Sequence, residues 1–377
     1  MTGFAVVGGV AFLVVVGIVY LAVYLHWVRS ATAGLAYFGA TLDERRALKR
    51  RIARYGWLAR PLVAVLARFN RGRSGLPAFE YEGVCGPPGV SSRAAFERAH
   101  RYRPRPEDVF VVTQMRCGTT WMQQLVHQIV TRGRGSFDDP GCSHLYALSP
   151  WIEVHDGIPV EAAVPIGEPP TRIVKTHLPS TLCPFDACAR YIYVARHPVS
   201  CFASIVDFDR TLVGPLLPPV PVLADWFCSD RMYWLPWPRH VDGWWRRSCD
   251  SPNVLFVHFE AMKRDFAAVR DEVARFLGCE LTALEKQRID ERCAFGYMKR
   301  HEESFEMAAP TMFSARAGNQ LPSGKESRHD DVAADVRARI ERYCRAALSD
   351  AAYPVARFYP DLGTAPPTAT PEGRSPA

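Results

Sequence analysis

Val111-Val112-Thr113-Gln114-Met115-Arg116-Cys117-Gly118-Thr119-Thr120-Trp121 is the stretch from which the fold is read. The apolar run from Val109 to Val112 suits a buried strand, and a tight turn with one glycine follows it. From Thr119 to Val130 the spacing predicts a helix with Trp121, Met122, Leu125 and Ile129 inward. Such a strand–turn–helix aims backbone N–H groups and the positive end of a helix at one place, which suits a phosphate. Arg116 adds a fixed charge, and the Thr119 and Thr120 hydroxyls add donors. Gly-x-x-x-x-Gly-Lys-Ser/Thr is absent, so a nucleoside triphosphatase is disfavoured.

Outward from this loop, residues 105–360 alternate strand-like and helix-like segments. Arg190 to Val194 and Val254 to Val257 read as further strands, and Ala267 to Leu277 and Val332 to Leu348 as helices. The pattern predicts an α/β domain, a central parallel sheet flanked by helices around a P-loop-like strand–loop–helix. A Trp- and Pro-rich stretch, 211–245, supplies Trp226, Phe227, Tyr233, Trp234 and Trp237, which with Tyr146 are candidates for an apolar pocket. Residues 71–100, punctuated by Gly, Pro and Ser, read as a linker. The tail 361–377, rich in Pro, Thr and Ser, reads as disordered.

Of 377 residues, 48% are hydrophobic and 23% charged, which excludes a disordered or collagenous chain. The net charge of +7 is local: residues 29–73 hold eleven of the 46 Lys/Arg and two of the 39 Asp/Glu. The rest is close to neutral, so general nucleic-acid binding is not expected. Eleven cysteines without any Cys-x-x-Cys or Cys/His ligand spacing read as reduced, mostly buried thiols, with no metal site.

No charged residue precedes Arg29, and residues 3–28 are apolar apart from His26. A helix of that length spans about 39 Å, enough to cross a bilayer core of about 30 Å, so 1–30 reads as a transmembrane anchor. Tyr20, Tyr24 and Trp27 would form its aromatic belt. A cleaved signal peptide is the competing reading, but the run is long and lacks a basic n-region. The basic residues all follow the span, which places the body in the cytoplasm. Residues 31–104 complete a basic juxtamembrane segment and linker. Within it, residues 42–70 are amphipathic, with Leu48, Ile52, Tyr55, Leu62, Val65, Leu66 and Phe69 apolar. They suit either an in-plane helix on anionic lipid or a helix packed on the body.

Further segments follow the phosphate loop in order. They are Arg172-Ile173-Val174-Lys175-Thr176-His177-Leu178-Pro179, then Tyr193-Val194-Ala195-Arg196-His197-Pro198 with Ser204, then His240-Val241-Asp242-Gly243-Trp244-Trp245. Val254 to Lys263 and the helix ending Ala274-Arg275-Phe276-Leu277-Gly278 complete the set. With these, the chain resembles the PAPS-dependent sulfotransferases of the cytosolic type over about 105–360.

The resemblance implies PAPS (3′-phosphoadenosine 5′-phosphosulfate) as co-substrate. Arg116, Cys117, Gly118, Thr119 and Thr120 would hold its 5′ end, Trp121 would stack on adenine, and Arg196 and Ser204 would bind the 3′-phosphate. His177 is the expected general base, since a neutral imidazole removes an acceptor proton in the right range. Lys175 lies on the same side of an extended segment and would stabilise charge. The chain departs from the family pattern at three places. Arg116 stands for the usual Lys and reads as an electrostatic clamp, Cys117 stands for Ser, and Phe259 stands for Tyr at the nucleotide. The third nucleotide segment is irregular, with Arg316-Ala317-Gly318 and later Gly324-Lys325 as its counterparts.

The expected activity is transfer of a sulfuryl group to a hydroxyl of a small, hydrophobic or lipid-like acceptor, with no metal required. The alternatives are a catalytically silent, membrane-tethered nucleotide-binding scaffold and a membrane-bound nucleotide-dependent kinase.

Overall fold

The computed structural model describes residues 2–70, 76–137, 143–155, 157–306, 309–315 and 327–363. Strands β3 (Asp108–Thr113), β4 (Arg172–Thr176), β5 (Arg190–Ala195) and β6 (Val254–His258) form one parallel sheet in the order β4-β3-β5-β6. All six residues of β3 are buried, as helices cover both faces of the sheet. Val109 and Val111 face a core shared with helix α4 (Thr119–Val130), through Met122, Leu125 and Ile129, and with α7 (Phe266–Leu277). Phe110 and Val112 face the opposite core, with Phe202 and Ile205 of α5 (Pro198–Val213) and Trp244 of α6 (Trp237–Asp250). Ile340 of α8 (Ala334–Ala347) completes that side. A one-residue slip of β3 would exchange the two sets between cores, so burial fixes the register and with it where each strand ends.

Residues 79–100, expected within a linker, are folded. Strands β1 (Phe79–Tyr81) and β2 (Val84–Gly86) pair as an antiparallel hairpin through Glu82 and Gly83, both at positive φ (49° and 73°). Two such residues make the turn whose twist suits adjacent strands. Helix α3 (Arg93–His100) follows, with the Ser92 hydroxyl accepting from Ala95 N–H at its start. Tyr81, Val84, Phe96 and Ala99 join the main core. The body also runs past its expected end at 360, because Leu362 is buried. Residues 364–377 of the expected disordered tail lie outside the described residues.

At the N-terminus, α1 (Thr2–Ala31) packs on α2 (Leu42–Asn70). The Tyr20 hydroxyl donates to Tyr55 O and the Tyr24 hydroxyl to Ile52 O, at 2.9 and 3.0 Å. Among the described residues, one segment, Ala11–Ala31, is long and apolar enough to cross a membrane, with mean hydropathy 2.2. The first half of α2 is held by the body. Arg45, 1% exposed, donates to Ala40 O, Ser143 Oγ and Ser143 O, and Lys49 pairs with Glu303 and Glu306. A buried arginine whose two terminal nitrogens are bonded in this way anchors the helix. Its apolar positions divide accordingly: Leu48 and Ile52 are buried, whereas Tyr55, Trp57, Leu58, Val65 and Leu66 are exposed.

Candidate active site

The register of the sheet aligns the C-terminal ends of all four parallel strands. Val112 lies beside Thr176, Thr113 beside Val194, and Ala195 beside His258. The residues that follow each strand therefore emerge along one edge: the loop 114–118, His177, Arg196 and Phe259. That edge is where open parallel sheets bind ligands. A cavity of about 740 Å³ lies over it, lined by Arg116, Gly118–Trp121, Lys175, His177, Arg196, Ser204 and Phe259 among others. This volume falls in the range of small-molecule sites.

In the loop, Arg116 (φ 65°) and Gly118 (φ 102°) lie in the left-handed region. Gly118 is required twice over, since a Cβ there would also stand 2.7 Å from Phe259 Cδ2. Gly118 is the N-cap of α4 and brings no side-chain acceptor, so the N–H groups of the first turn are left to the cavity. Cys117 turns its side chain into the core, with Sγ 3.8 Å from Cys201 Sγ, and is fully buried. Thr119 shares a hydrogen bond with the Thr113 hydroxyl at 2.6 Å, behind the loop. Arg116 Nε donates to Ser204 Oγ at 3.1 Å, and its guanidinium lies 4.5 Å over the Phe208 ring.

Arg196 donates to the Arg116 carbonyl at 3.1 Å and stacks 4.3 Å over Phe259. Its Nε is buried with no hydrogen-bond partner among the described residues. Burial, and then the charge of Arg196, pull the Arg116 pKa down to about 10. Burial also lowers Arg196. Two adjacent, partly desolvated guanidiniums with a donor to spare form a site that a polyanion relieves. Arg328 stands nearby, bonded to Asp207 and Asp331 at 2.5 and 2.7 Å, and its Nη1 is likewise buried and unpartnered. Trp121 stacks on Phe266 with centroids 5.4 Å apart and donates its indole N–H to Cys293 O.

His177 is 5% exposed and held edge-on between Trp151 and Trp234, with ring centroids 5.0 and 5.1 Å away. Its Nδ1 lies 2.8 Å from the Thr113 carbonyl oxygen, which only accepts, so Nδ1 carries the proton and Nε2 keeps its lone pair. Its backbone N–H donates to Glu153 Oε1, and His240 Nε2 donates to its carbonyl. Burial first, then the Lys175 charge, hold the imidazole well below its usual pKa, and so neutral. Lys175 Nζ donates to the Tyr146 hydroxyl at 2.7 Å and lies 3.4 Å over the Trp151 ring, and burial lowers its pKa strongly. Trp234 is fixed from the phosphate loop, because Gln114 Nε2 donates to both Tyr233 O and Leu235 O.

The structure thus brings together His177, Lys175, the 116–121 loop, Arg196, Ser204 and Phe259. Arg316, Ala317 and Gly318 lie outside the described residues. Of the proposed pocket aromatics, Tyr146, Tyr233 and Trp234 line the cavity. Trp226, Phe227 and Trp237 are core residues instead, Trp237 donating to Arg196 O. Sequence reasoning missed Gln114, Glu153, Asp209 and Arg328. Asp209 lines the cavity, and burial pushes its carboxyl up to about 7 against the opposing charge of Arg116. Only the position of Gln114 inside the loop motif carried a signal. No metal ligand set was expected, yet His197, His329 and Asp361 bring one ligand atom each within 4.8 Å. There Nδ1 of His197 accepts from Val199 N–H, so Nε2 donates to Asp361 at 3.0 Å.

Burial lowers six imidazoles, those of His127, His144, His177, His240, His258 and His329, with His127, His240 and His258 each brought to about 4. The unfolded chain takes up these protons near pH 6.5 and the folded chain does not, so stability is intact above 6.5 and lost below it. A shift to about 4 is worth roughly 3 kcal/mol per group once both values are passed. Glu153, Asp209 and Glu306, whose pKa values are raised, act in the opposite sense but are fewer. The melting temperature is expected to fall steadily from pH 7 to pH 5. A rise over that interval would refute this assignment.

Residues 106–352 match the family model for the sulfotransferase domain. The chain is 24% identical over 246 residues to cytosolic sulfotransferase 1 of Danio rerio, covering 62% of this chain and 79% of that protein. It is 30% identical over 222 residues to human sulfotransferase 4A1, covering 57% of this chain and 74% of that one. Among solved structures, mouse sulfotransferase SULT7A1 complexed with PAP superposes with a TM-score of 0.56 at 19% identity, covering 72% of this chain and 94% of that one. Retinol dehydratase in complex with androsterone and the inactive cofactor PAP superposes with a TM-score of 0.53 at 23% identity, over 78% and 96% of the two chains.

Proposed function

The chain belongs to the sulfotransferase family, and we propose that it uses PAPS to sulfate a hydroxyl of a small apolar acceptor at the strand-end cavity. The observation that carries this reading is the pairing of a neutral, buried imidazole with two buried guanidiniums along one sheet edge. The fit to the donor is chemical. The uncapped start of α4, the spare Nε of Arg196 and the spare Nη1 of Arg328 are donors awaiting acceptor oxygens. Arg116, Gly118, Thr119 and Thr120 would hold the 5′ end, and Arg196 with Ser204 and Arg328 the 3′-phosphate. Trp121 and Phe259 would flank the base. PAPS supplies the activated sulfuryl group that becomes the ester of the acceptor oxygen.

His177 does the acid–base work. Its Nε2 accepts the acceptor's proton, while the Nδ1–H bond to the Thr113 carbonyl fixes the tautomer that makes this possible. Arg116 places a fixed charge where negative charge grows on the leaving side, and Lys175 places a second donor beside His177. Trp151, Trp234 and Tyr146 exclude water and present apolar surface to the acceptor. The reading extends to a single N-terminal span with the body on the cytoplasmic side. It is supported by Ala11–Ala31 and by the arginines that follow it.

Purified protein given sulfur-labelled PAPS and 4-nitrophenol is expected to yield labelled 4-nitrophenyl sulfate without ATP. Binding of adenosine 3′,5′-bisphosphate with no transfer to any alcohol would instead favour the scaffold.

A further inference from the structure

One wall of the cavity is built in part by the apolar helix itself. Leu25 and Val28, spaced at i and i+3 on α1, and Thr32, just past the end of the helix, line the same cavity as His177. The other face, with Tyr20, Tyr24 and Trp27, is occupied by α2. Toward the N-terminus the cavity-lining face continues as bare apolar surface: Ile18 is 54% exposed and Leu25 50%. Beside it α2 exposes Trp57 (64%), Leu58 (57%) and Val65 (51%). An apolar surface of this extent marks contact with a partner or a bilayer. Arg29 Nη2 and His155 Nδ1, both on cavity-lining residues, lie 3.5 Å apart, a polar pair two residues past Trp27 where headgroups would lie.

We propose that the acceptor is a membrane-resident alcohol with an extended apolar body, which reaches His177 from the bilayer along Leu25 and Val28 of α1 and past Thr32. This rests on the sulfotransferase reading above and adds the source and class of the acceptor. A hydroxyl at the end of a long chain passes from lipid to cavity without its tail crossing water, so the transfer avoids exposing the chain's CH₂ groups. A small phenol needs no such path. Val28 is half-buried, lines the cavity and also packs on the α1–α2 cluster, so a much larger side chain there would narrow the route.

The full chain reconstituted in phosphatidylcholine vesicles tests this with two probes, hexadecanol held in the bilayer and 4-nitrophenol supplied from water. Val28→Trp is expected to lower the hexadecanol to 4-nitrophenol ratio of kcat/KM at least about tenfold. Adenosine 3′,5′-bisphosphate affinity is expected to stay within about twofold in this variant. Independently of turnover, a diazirine-bearing hexadecanol is expected to label α1 between residues 25 and 32. An unchanged ratio, or labelling confined to segments away from α1, would overturn the membrane route. Absence of transfer to both probes in wild type would overturn the sulfotransferase reading, and the labelling pattern would still decide the route.

Discussion

His177→Ala is expected to lower kcat by about 10²–10⁴-fold while leaving the affinity for adenosine 3′,5′-bisphosphate nearly unchanged. That range is the usual contribution of a positioned general base and corresponds to about 2.7–5.5 kcal/mol of activation free energy. The selectivity of the loss follows from the geometry. The imidazole touches the phosphate loop only through Nδ1 on Thr113, at the end of β3, and its Nε2 is the atom left to the cavity. His177→Asn separates structure from chemistry, because its side-chain amide can replace the Nδ1–H donor to the Thr113 carbonyl but cannot take a proton at neutral pH. Both variants are expected to be inactive, with the asparagine variant melting closer to wild type. Retention of full transfer by either would remove the base assignment.

Arg196→Leu is expected to weaken adenosine 3′,5′-bisphosphate binding by about 30- to 4,000-fold, the equivalent of 2–5 kcal/mol for truncating one side of a buried charged contact. Arg196 has one N–H on the Arg116 carbonyl, its face on Phe259 and a buried Nε without a partner among the described residues. The unpartnered donor is what a phosphate oxygen would satisfy. Arg196→Lys keeps the charge but not the planar fork, so it is expected to recover only part of the loss. A change of less than threefold in Arg196→Leu would place the phosphate elsewhere.

Much of this architecture was legible because three of the four parallel strands contain continuous apolar runs, and residues of the site follow each strand closely. Val109–Val112 gives β3 and its loop, Arg190–Val194 gives β5 and Arg196, and the Lys175-Thr176-His177 run gives β4. What escaped the sequence lacked period or proximity. The β1–β2 hairpin has strands of three residues, too short to show alternation among its Gly and Pro neighbours. Glu153 reaches His177 only because residues 150–152 bridge to Lys175 beside the edge strand β4, a pairing no local pattern announces. Arg328 faces the site because the chain returns to Ser200 of α5 from more than a hundred residues away. The face of α1 that lines the cavity was hidden for the opposite reason. Every side of an apolar helix looks alike in sequence, and only packing against α2 distinguishes one from another.

Calorimetric titration of adenosine 3′,5′-bisphosphate into the purified chain tests the shared strand-end pocket most directly. One saturable site per chain, weakened in Arg196→Leu and kept in His177→Ala, is the result expected. No binding heat at any concentration, or binding indifferent to Arg196, would contradict it.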